Sequence, residues 1–255
     1  MNNEISTTPF QDYLKLNGYT SFDIQAVLFD MDGVLYNSMP YHCKSWLQTM
    51  TEFGYHCTYE EFFIHEGRTG NSTINLLTQR EFGRDATEEE IKKIYKRKSD
   101  LFTEYNQGET IPFAKEMLNL VKNQGLQRIL VTGSGQKSLL GKLEDNFPGI
   151  FAQDKMVTAF DVKRGKPNPE PYLRGLSKAG KLLSNQAVVV ENAPMGVQAA
   201  VDAGIFTIAI NTGPIDEQVL YDAGADIVLP SMEALYRQWP ELLKLFQSEK
   251  ADIQE

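Results

Sequence analysis

Long apolar runs are missing from this chain. No stretch approaches the roughly 18 consecutive apolar residues that a membrane-spanning helix needs. The N-terminus has neither the basic start nor the apolar core of a secretory signal, so a cytoplasmic protein is the expectation. Cysteine is scarce. Cys43 and Cys57 are the only two, and their spacing fits neither a CxxC pair nor a zinc site. Positive charge is in deficit as well: Lys and Arg total 25 against 34 Asp and Glu, a net charge of −9, with no basic cluster. That speaks against nucleic acids and anionic membranes, partners that are held by clustered cations. A small anionic substrate is still possible if local cations hold it. The Asn71-Ser72-Thr73 sequon has no meaning without secretion. There is no internal repeat and no low-complexity linker.

What is present reads as an ordinary globular chain, 42% apolar and 23% charged over 255 residues. Six short apolar runs stand out: Ala26–Phe29, Arg128–Thr132, Met156–Ala159, Ala187–Val190, Thr207–Ile210 and Asp226–Leu229. Each is too short for a helix, and most are rich in Val and Ile, so they read as strands buried on both faces. Segments long enough for one helix separate the last five. The pattern predicts an α/β fold, a doubly wound and mostly parallel sheet whose ligands gather at the carboxyl ends of the strands.

Between Phe29 and Arg128 the rhythm breaks and the pattern turns helical. Cys43, Trp46, Leu47 and Met50 repeat at helical spacing after Ser38, a candidate N-cap, with Pro40 in the first turn. Thr58-x-x-Glu61 and Thr87-x-x-Glu90 read as capping boxes. After the second, Ile91, Ile94, Tyr95, Leu101, Phe102 and Tyr105 mark a long amphipathic helix. Residues 38–108 are therefore expected to form a helical cap of about four helices, inserted into a core of residues 25–37 and 109–246. An insert leaving the core just after its first strand lies over the ligand end of the sheet and can act as a lid. Residues 1–24 read as an N-terminal extension with one short helix, and the tail from Gln247 is expected to fray.

Four stretches carry chemistry. In "AVLFDMDGVLYNS" an apolar strand runs into Asp30, with Asp32 two residues on and Gly33 next. One such carboxylate can attack an electrophile, the second can exchange protons, and both can help hold a hard cation. "ILVTGSG" ends a second strand in Thr132, Gly133 and Ser134, hydroxyls and amides suited to cradle a phosphate, with a helix expected near Gln136. "RGKPNPEPY" fixes Lys166 in a proline-rich loop, where it can neutralise a phosphate or an aspartate. "VVVENAPMG" delivers Glu191 and then Asn192 at the end of a buried strand.

In this order on successive strand ends, these motifs resemble those of the haloacid dehalogenase-like phosphohydrolases, over about residues 25–230. The position of the helical insert resembles the cap of the β-phosphoglucomutase-like group. "MPYHCKSW", "HEGRTGNST" and the core motifs together are most similar to the group's inorganic pyrophosphatases. The resemblance implies Asp30 as nucleophile, forming an aspartyl-phosphate, and Asp32 as general acid and base. It implies phosphate binding by Thr132, Gly133, Ser134 and Lys166. A magnesium ion would be held by Asp30, the Asp32 carbonyl, Glu191 and Asn192, with Glu66 joining from the cap. His42, Arg68, Thr69 and Asn71 are the other cap residues placed toward the substrate.

Two departures stand out. Asn192 occupies a place where the phosphomutases carry aspartate, and Gly70 stands near their cap-loop arginine, with Arg68 displaced from it. His42 matches the histidine near the cap hinge of the sugar phosphomutases and equally reads as a structural residue. For Glu66 the competing reading is a helix end, solvated ahead of Gly67. Magnesium-dependent hydrolysis of inorganic pyrophosphate is the leading expectation, with a β-phosphoglucomutase or sugar-phosphate phosphatase as the alternative. A catalytically silent binding protein is disfavoured by the joint presence of Asp30, Asp32 and Lys166. A haloacid dehalogenase is disfavoured because carbon–halogen displacement needs neither Asp32 nor a metal site.

Overall fold

The computed structural model describes residues 5–134 and 141–250. Among these, six strands form one parallel sheet: β1 (Ala26–Phe29), β2 (Gln127–Val131), β3 (Met156–Val157), β4 (Ala187–Glu191), β5 (Phe206–Ile210) and β6 (Ile227–Leu229). They lie in the order β3-β2-β1-β4-β5-β6. All six expected runs form strands. The expected third strand stops at Val157, short of Ala159, and β2 stops at Val131, so Thr132 enters the following loop. Strands β1, β4 and β5 are buried along their whole length, which is why they read as unbroken apolar runs.

Helix α1 (Thr8–Asn17) precedes the sheet, and α2 (Met39–Glu52), α3 (Glu61–Ile64), α4 (Gly70–Phe82) and α5 (Glu88–Tyr105) lie between β1 and β2. The rest of the described helices are α6 (Ala114–Asn123), α7 (Leu143–Asn146), α8 (Glu170–Lys178), α9 (Pro194–Asp202), α10 (Glu217–Asp222) and α11 (Met232–Ser248). One face of the sheet packs Phe10 of α1, Met117 of α6 and Trp239 of α11 against Phe29, Leu130, Val190 and Ile208. The other packs Tyr172 and Leu176 of α8 and Ala199 of α9 against Leu28, Ile129 and Val189. The N-terminal helix thus completes the main core. The tail remains helical to Ser248, and Lys250 bridges Ser21, so the fraying expected from Gln247 is not seen up to Lys250. The helix expected near Gln136 falls on residues 135–140, outside the described residues.

Helices α2 to α5 share their own apolar centre, built on Cys43, Trp46, Met50, Phe62, Ile74, Leu77 and Ile94. The Thr87–Glu90 capping box forms, with the Glu90 amide donating to Thr87 Oγ1 at 3.2 Å and the Thr87 amide to Glu90 Oε2 at 2.8 Å. At Thr58 only half of the motif is used: the Glu61 amide donates to Thr58 Oγ1, and the helix that follows is one turn long. Ser38 occupies the N-cap position of α2 but makes no side-chain cap, because its hydroxyl is committed elsewhere.

Candidate active site

Strands β2, β1 and β4 are neighbours in register, so their carboxyl ends bring Thr132, Asp30 and Glu191 side by side. The Asp30 amide donates to Val190 O at 3.0 Å and the Thr132 amide to Val157 O at 2.9 Å, which pins both residues to the sheet edge. Lys166, ahead of α8, reaches between them. Its Nζ donates to Asp30 Oδ1 at 2.5 Å, to Glu191 Oε1 at 2.6 Å and to Val131 O at 3.1 Å. Those three bonds exhaust the ammonium's donors. Gly33 follows at φ +77°, and a Cβ there would meet Asn192 Nδ2 at 2.0 Å, so the turn after Asp32 admits only glycine.

Asp32 has a separate set of partners. Ser38 Oγ donates to its Oδ1 at 2.5 Å, and His42 Nε2 lies 3.0 Å from the same oxygen. Lys98 Nζ lies 2.6 Å from His42 Nδ1. An ionised carboxylate can only accept, so His42 Nε2 carries the hydrogen bound to Asp32, and Nδ1 of the neutral ring accepts from Lys98. Burial, then the nearby Lys98 charge, lowers the His42 pKa and keeps the ring neutral. Burial pushes the Lys98 ammonium down to about 7, against the pull of Asp32. Burial also raises Asp32, but His42, Ser38 and Lys98 outweigh it and hold the carboxyl below its usual range.

Asp30 moves the other way. Burial drives it up, Lys166 opposes, and the charges of Glu191 and Asp32 reinforce the rise. Glu66, delivered from the cap, is only 9% exposed, and burial raises it well above the ordinary range. It accepts from Asn192 Nδ2 at 2.9 Å. The solvated helix end considered for Glu66 is therefore not what the fold builds.

The cluster of Asp30, Asp32, Glu66 and Glu191 outnumbers its buried cations, Lys166 and Lys98, and a divalent cation would correct the imbalance. A second observation fits one too: Asn192 Oδ1 is buried and has no partner among the described residues. Glu191 fits less well. Its Oε1 accepts from Lys166 and from Tyr172 Oη at 2.8 Å, and its Oε2 accepts from the amides of Asn192 at 2.9 Å and Ala193 at 3.2 Å. That fills the four lone-pair positions of a carboxylate. Among the described residues no three His, Cys, Asp or Glu side chains converge as a ready cage. The candidate set instead uses an amide and a backbone carbonyl beside carboxylates, which suits magnesium because it keeps several waters.

A cavity of about 70 Å³ lies between cap and core, walled by Asp30, Asp32, Thr132, Gly133 and Ser134 below and by His42, Glu66, Arg68 and Lys98 above. Arg68 Nη1 donates to Ser72 Oγ at 3.1 Å, while its buried Nε has no partner among the described residues. Thr69 caps α4, accepting from the Ser72 amide, and lies in a separate cleft beside Lys166 and Asn168. Asn71 is exposed, and neither Thr69 nor Asn71 lines the cavity between cap and core. Sequence reading missed Lys98 and Tyr172 and took Ser38 for a cap. Lys98 left one signal: it falls on the apolar face of α5, between Ile94 and Leu101.

Comparison with known proteins follows the geometry. Residues 27–210 match the haloacid dehalogenase-like hydrolase family. Hexitol phosphatase A of Escherichia coli (strain K12) is 32% identical over 209 residues, 82% of this chain and 91% of that protein. Glycerol-1-phosphate phosphohydrolase 2 of Saccharomyces cerevisiae is 29% identical, covering 84% of this chain and 85% of its own. A solved structure from Bacteroides vulgatus, provisionally named as a beta-phosphoglucomutase, is 52% identical with a TM-score of 0.92, covering 95% of this chain and 98% of that one. No helix among the described residues is long and apolar enough to cross a membrane. A Rossmann-like parallel sheet, an aspartate pair at its mouth and a helical cap above them agree with the family match: this chain belongs to the haloacid dehalogenase-like hydrolases.

Proposed function

We propose that this chain is a phosphohydrolase for a small organic phosphate, working through a phosphoenzyme at Asp30. The observation that carries the reading is the aspartate pair with its two separate partner sets, Lys166 on Asp30 and His42 with Ser38 on Asp32. An ionised Asp30 oxygen attacks phosphorus and the bond to the leaving oxygen breaks, while Asp32, which takes up a proton when the phosphate dianion binds beside it, passes that proton to the leaving oxygen. Asp32 then takes a proton from water as the water attacks the aspartyl-phosphate, releasing phosphate and restoring Asp30. Thr132 and the amides of Gly133 and Ser134 receive the phosphoryl oxygens. Asp30, the Asp32 carbonyl, Asn192 and Glu66 are the residues that would hold magnesium. The metal, when bound, supplies charge that screens the anionic phosphoryl group from the carboxylates.

The substrate class rests on the relatives. Those named above act, by name, on hexitol and glycerol phosphates or carry the phosphoglucomutase description, which supports an organic phosphate over the pyrophosphate first expected. One feature keeps pyrophosphate as a second reading: Glu66 reaches Asn192 from the cap, bringing a further carboxylate to the candidate metal residues. The test is a comparison of kcat/KM for glycerol 1-phosphate, hexitol phosphates, β-glucose 1-phosphate and pyrophosphate, each with magnesium and again with a chelator. An organic phosphate should lead, and chelation should stop every reaction. Pyrophosphate preferred by tenfold or more would transfer the assignment to the second reading. Conversion of β-glucose 1-phosphate to its 6-phosphate would mark a mutase.

A further inference from the structure

Tyr172 closes the sequence "KPNPEPY" and is completely buried on α8. Its hydroxyl donates to Glu191 Oε1 at 2.8 Å, and its ring lies under Lys166, with Nζ 5.0 Å from the ring centre. We propose that Tyr172 is a positioning residue that frees Lys166 to follow the phosphoryl group. The inference rests on the reading of Lys166 as the cation that serves that group.

Lys166 has three donors, and all three are taken, by Asp30, Glu191 and the Val131 carbonyl. To touch a phosphoryl oxygen it must release one partner. The bond to Asp30 is the one that can go, because phosphorylation removes the charge of that carboxylate and puts a phosphate anion beside it. Lys166 can make this exchange only if Glu191 does not draw it away. Glu191 is held by the amides of Asn192 and Ala193 on Oε2 and by Tyr172 on Oε1. Without the Tyr172 hydroxyl, Oε1 depends on Lys166 alone, in a dry site where an unfilled acceptor is costly. Lys166 then leans toward Glu191, and the phosphoryl group loses its cation.

Tyr172→Phe deletes one oxygen and keeps the packing. It should lower kcat at least tenfold, weaken inhibition by vanadate, a phosphoryl mimic, by a similar factor, and leave substrate KM within threefold. Magnesium affinity, titrated calorimetrically without substrate, should also stay within threefold, because Glu191 keeps its other three bonds. Replacing Tyr172 by 3-fluorotyrosine retains the donor and should restore kcat, an effect that loss of packing would not produce. A Tyr172→Phe enzyme with kcat within threefold of wild type overturns the proposal. So does a tenfold loss of magnesium affinity with kcat recovered at saturating metal, since Tyr172 would then serve the metal. A wild-type protein that released phosphate from no ester would instead sink the phosphohydrolase reading beneath it.

Discussion

Two aspartates two residues apart are given opposite characters by what surrounds them. Asp30 sits among carboxylates with one lysine, and burial raises it. Asp32 sits under a neutral imidazole, a hydroxyl and Lys98, and is held low. Replacing Asp30, the proposed nucleophile, by Asn should remove phosphate release by roughly 10³-fold or more, since an amide cannot form the acyl-phosphate, while the thermal midpoint changes little. Near-normal turnover by that variant would rule out the covalent route. Glu66 tests the metal assignment. Glu66→Ala should raise the magnesium concentration for half-maximal activity about tenfold, close to 1.4 kcal/mol. Asn192→Asp should partly restore it by returning one negative charge to the site. If Glu66→Ala needs no more magnesium than wild type, the cap carboxylate only ties the lid down through Asn192.

At the scale of elements, the lid meets the core where side chains are missing. A Cβ on Gly133 would lie 2.6 Å from the Gly67 carbonyl, and one on Gly165 would lie 2.7 Å from the Thr69 methyl. Gly165 is outside the catalytic set, so Gly165→Val is a clean obstruction of closure. It should cut kcat/KM by about tenfold with little change in thermal midpoint. Unchanged kcat/KM would show that the reaction does not need this seat. The join between β5 and β6 carries another titrating group. Asp226 accepts from the Thr207 amide at 2.7 Å, and burial raises it to about 7. Its folded pKa lies above the unfolded one, so its favourable contribution is present at low pH and is lost as pH rises through about 7. Asp226→Asn should thus gain on the order of 2 °C over wild type at pH 8, and the gain should shrink toward pH 5. A gain that is constant with pH would place its origin outside this carboxyl.

For the whole molecule, the N-terminal helix belongs to the main core, while the helices between β1 and β2 supply one wall of the cavity. Phe10 is fully buried, with ring centres 5.0 Å from Phe206 and 4.9 Å from Phe246. Its removal leaves a void, and Phe10→Ala should cost about 3–5 kcal/mol. That corresponds to a fall in thermal midpoint of roughly 10 °C. The site lies at the opposite, carboxyl end of the strands, so kcat/KM at 25 °C should stay within about twofold. A large loss of activity at full folding would mean that α1 sets the geometry of the site as well as its stability.

The amino-acid order alone determined the sheet and which residues stand at its mouth. A strand buried on both faces has to be apolar along its length, so β1, β4 and β5 announced themselves, and the polar residues ending them could only be at the sheet's edge. The helices between β1 and β2 were legible for a similar reason, since helical periodicity and the Thr87–Glu90 box are local signals. Tertiary structure decided how these parts face one another. Lys98 meets His42 across 56 positions, Lys166 meets Asp30 across 136, and Asn192 meets Glu66 across 126. No local pattern encodes such pairs, because the partner that makes a buried charge tolerable comes from another element. Which of Glu191 and Asn192 keeps an open oxygen was settled in the same way: Lys166, Tyr172 and two backbone amides fill Glu191, while Asn192 Oδ1 has no partner among the described residues.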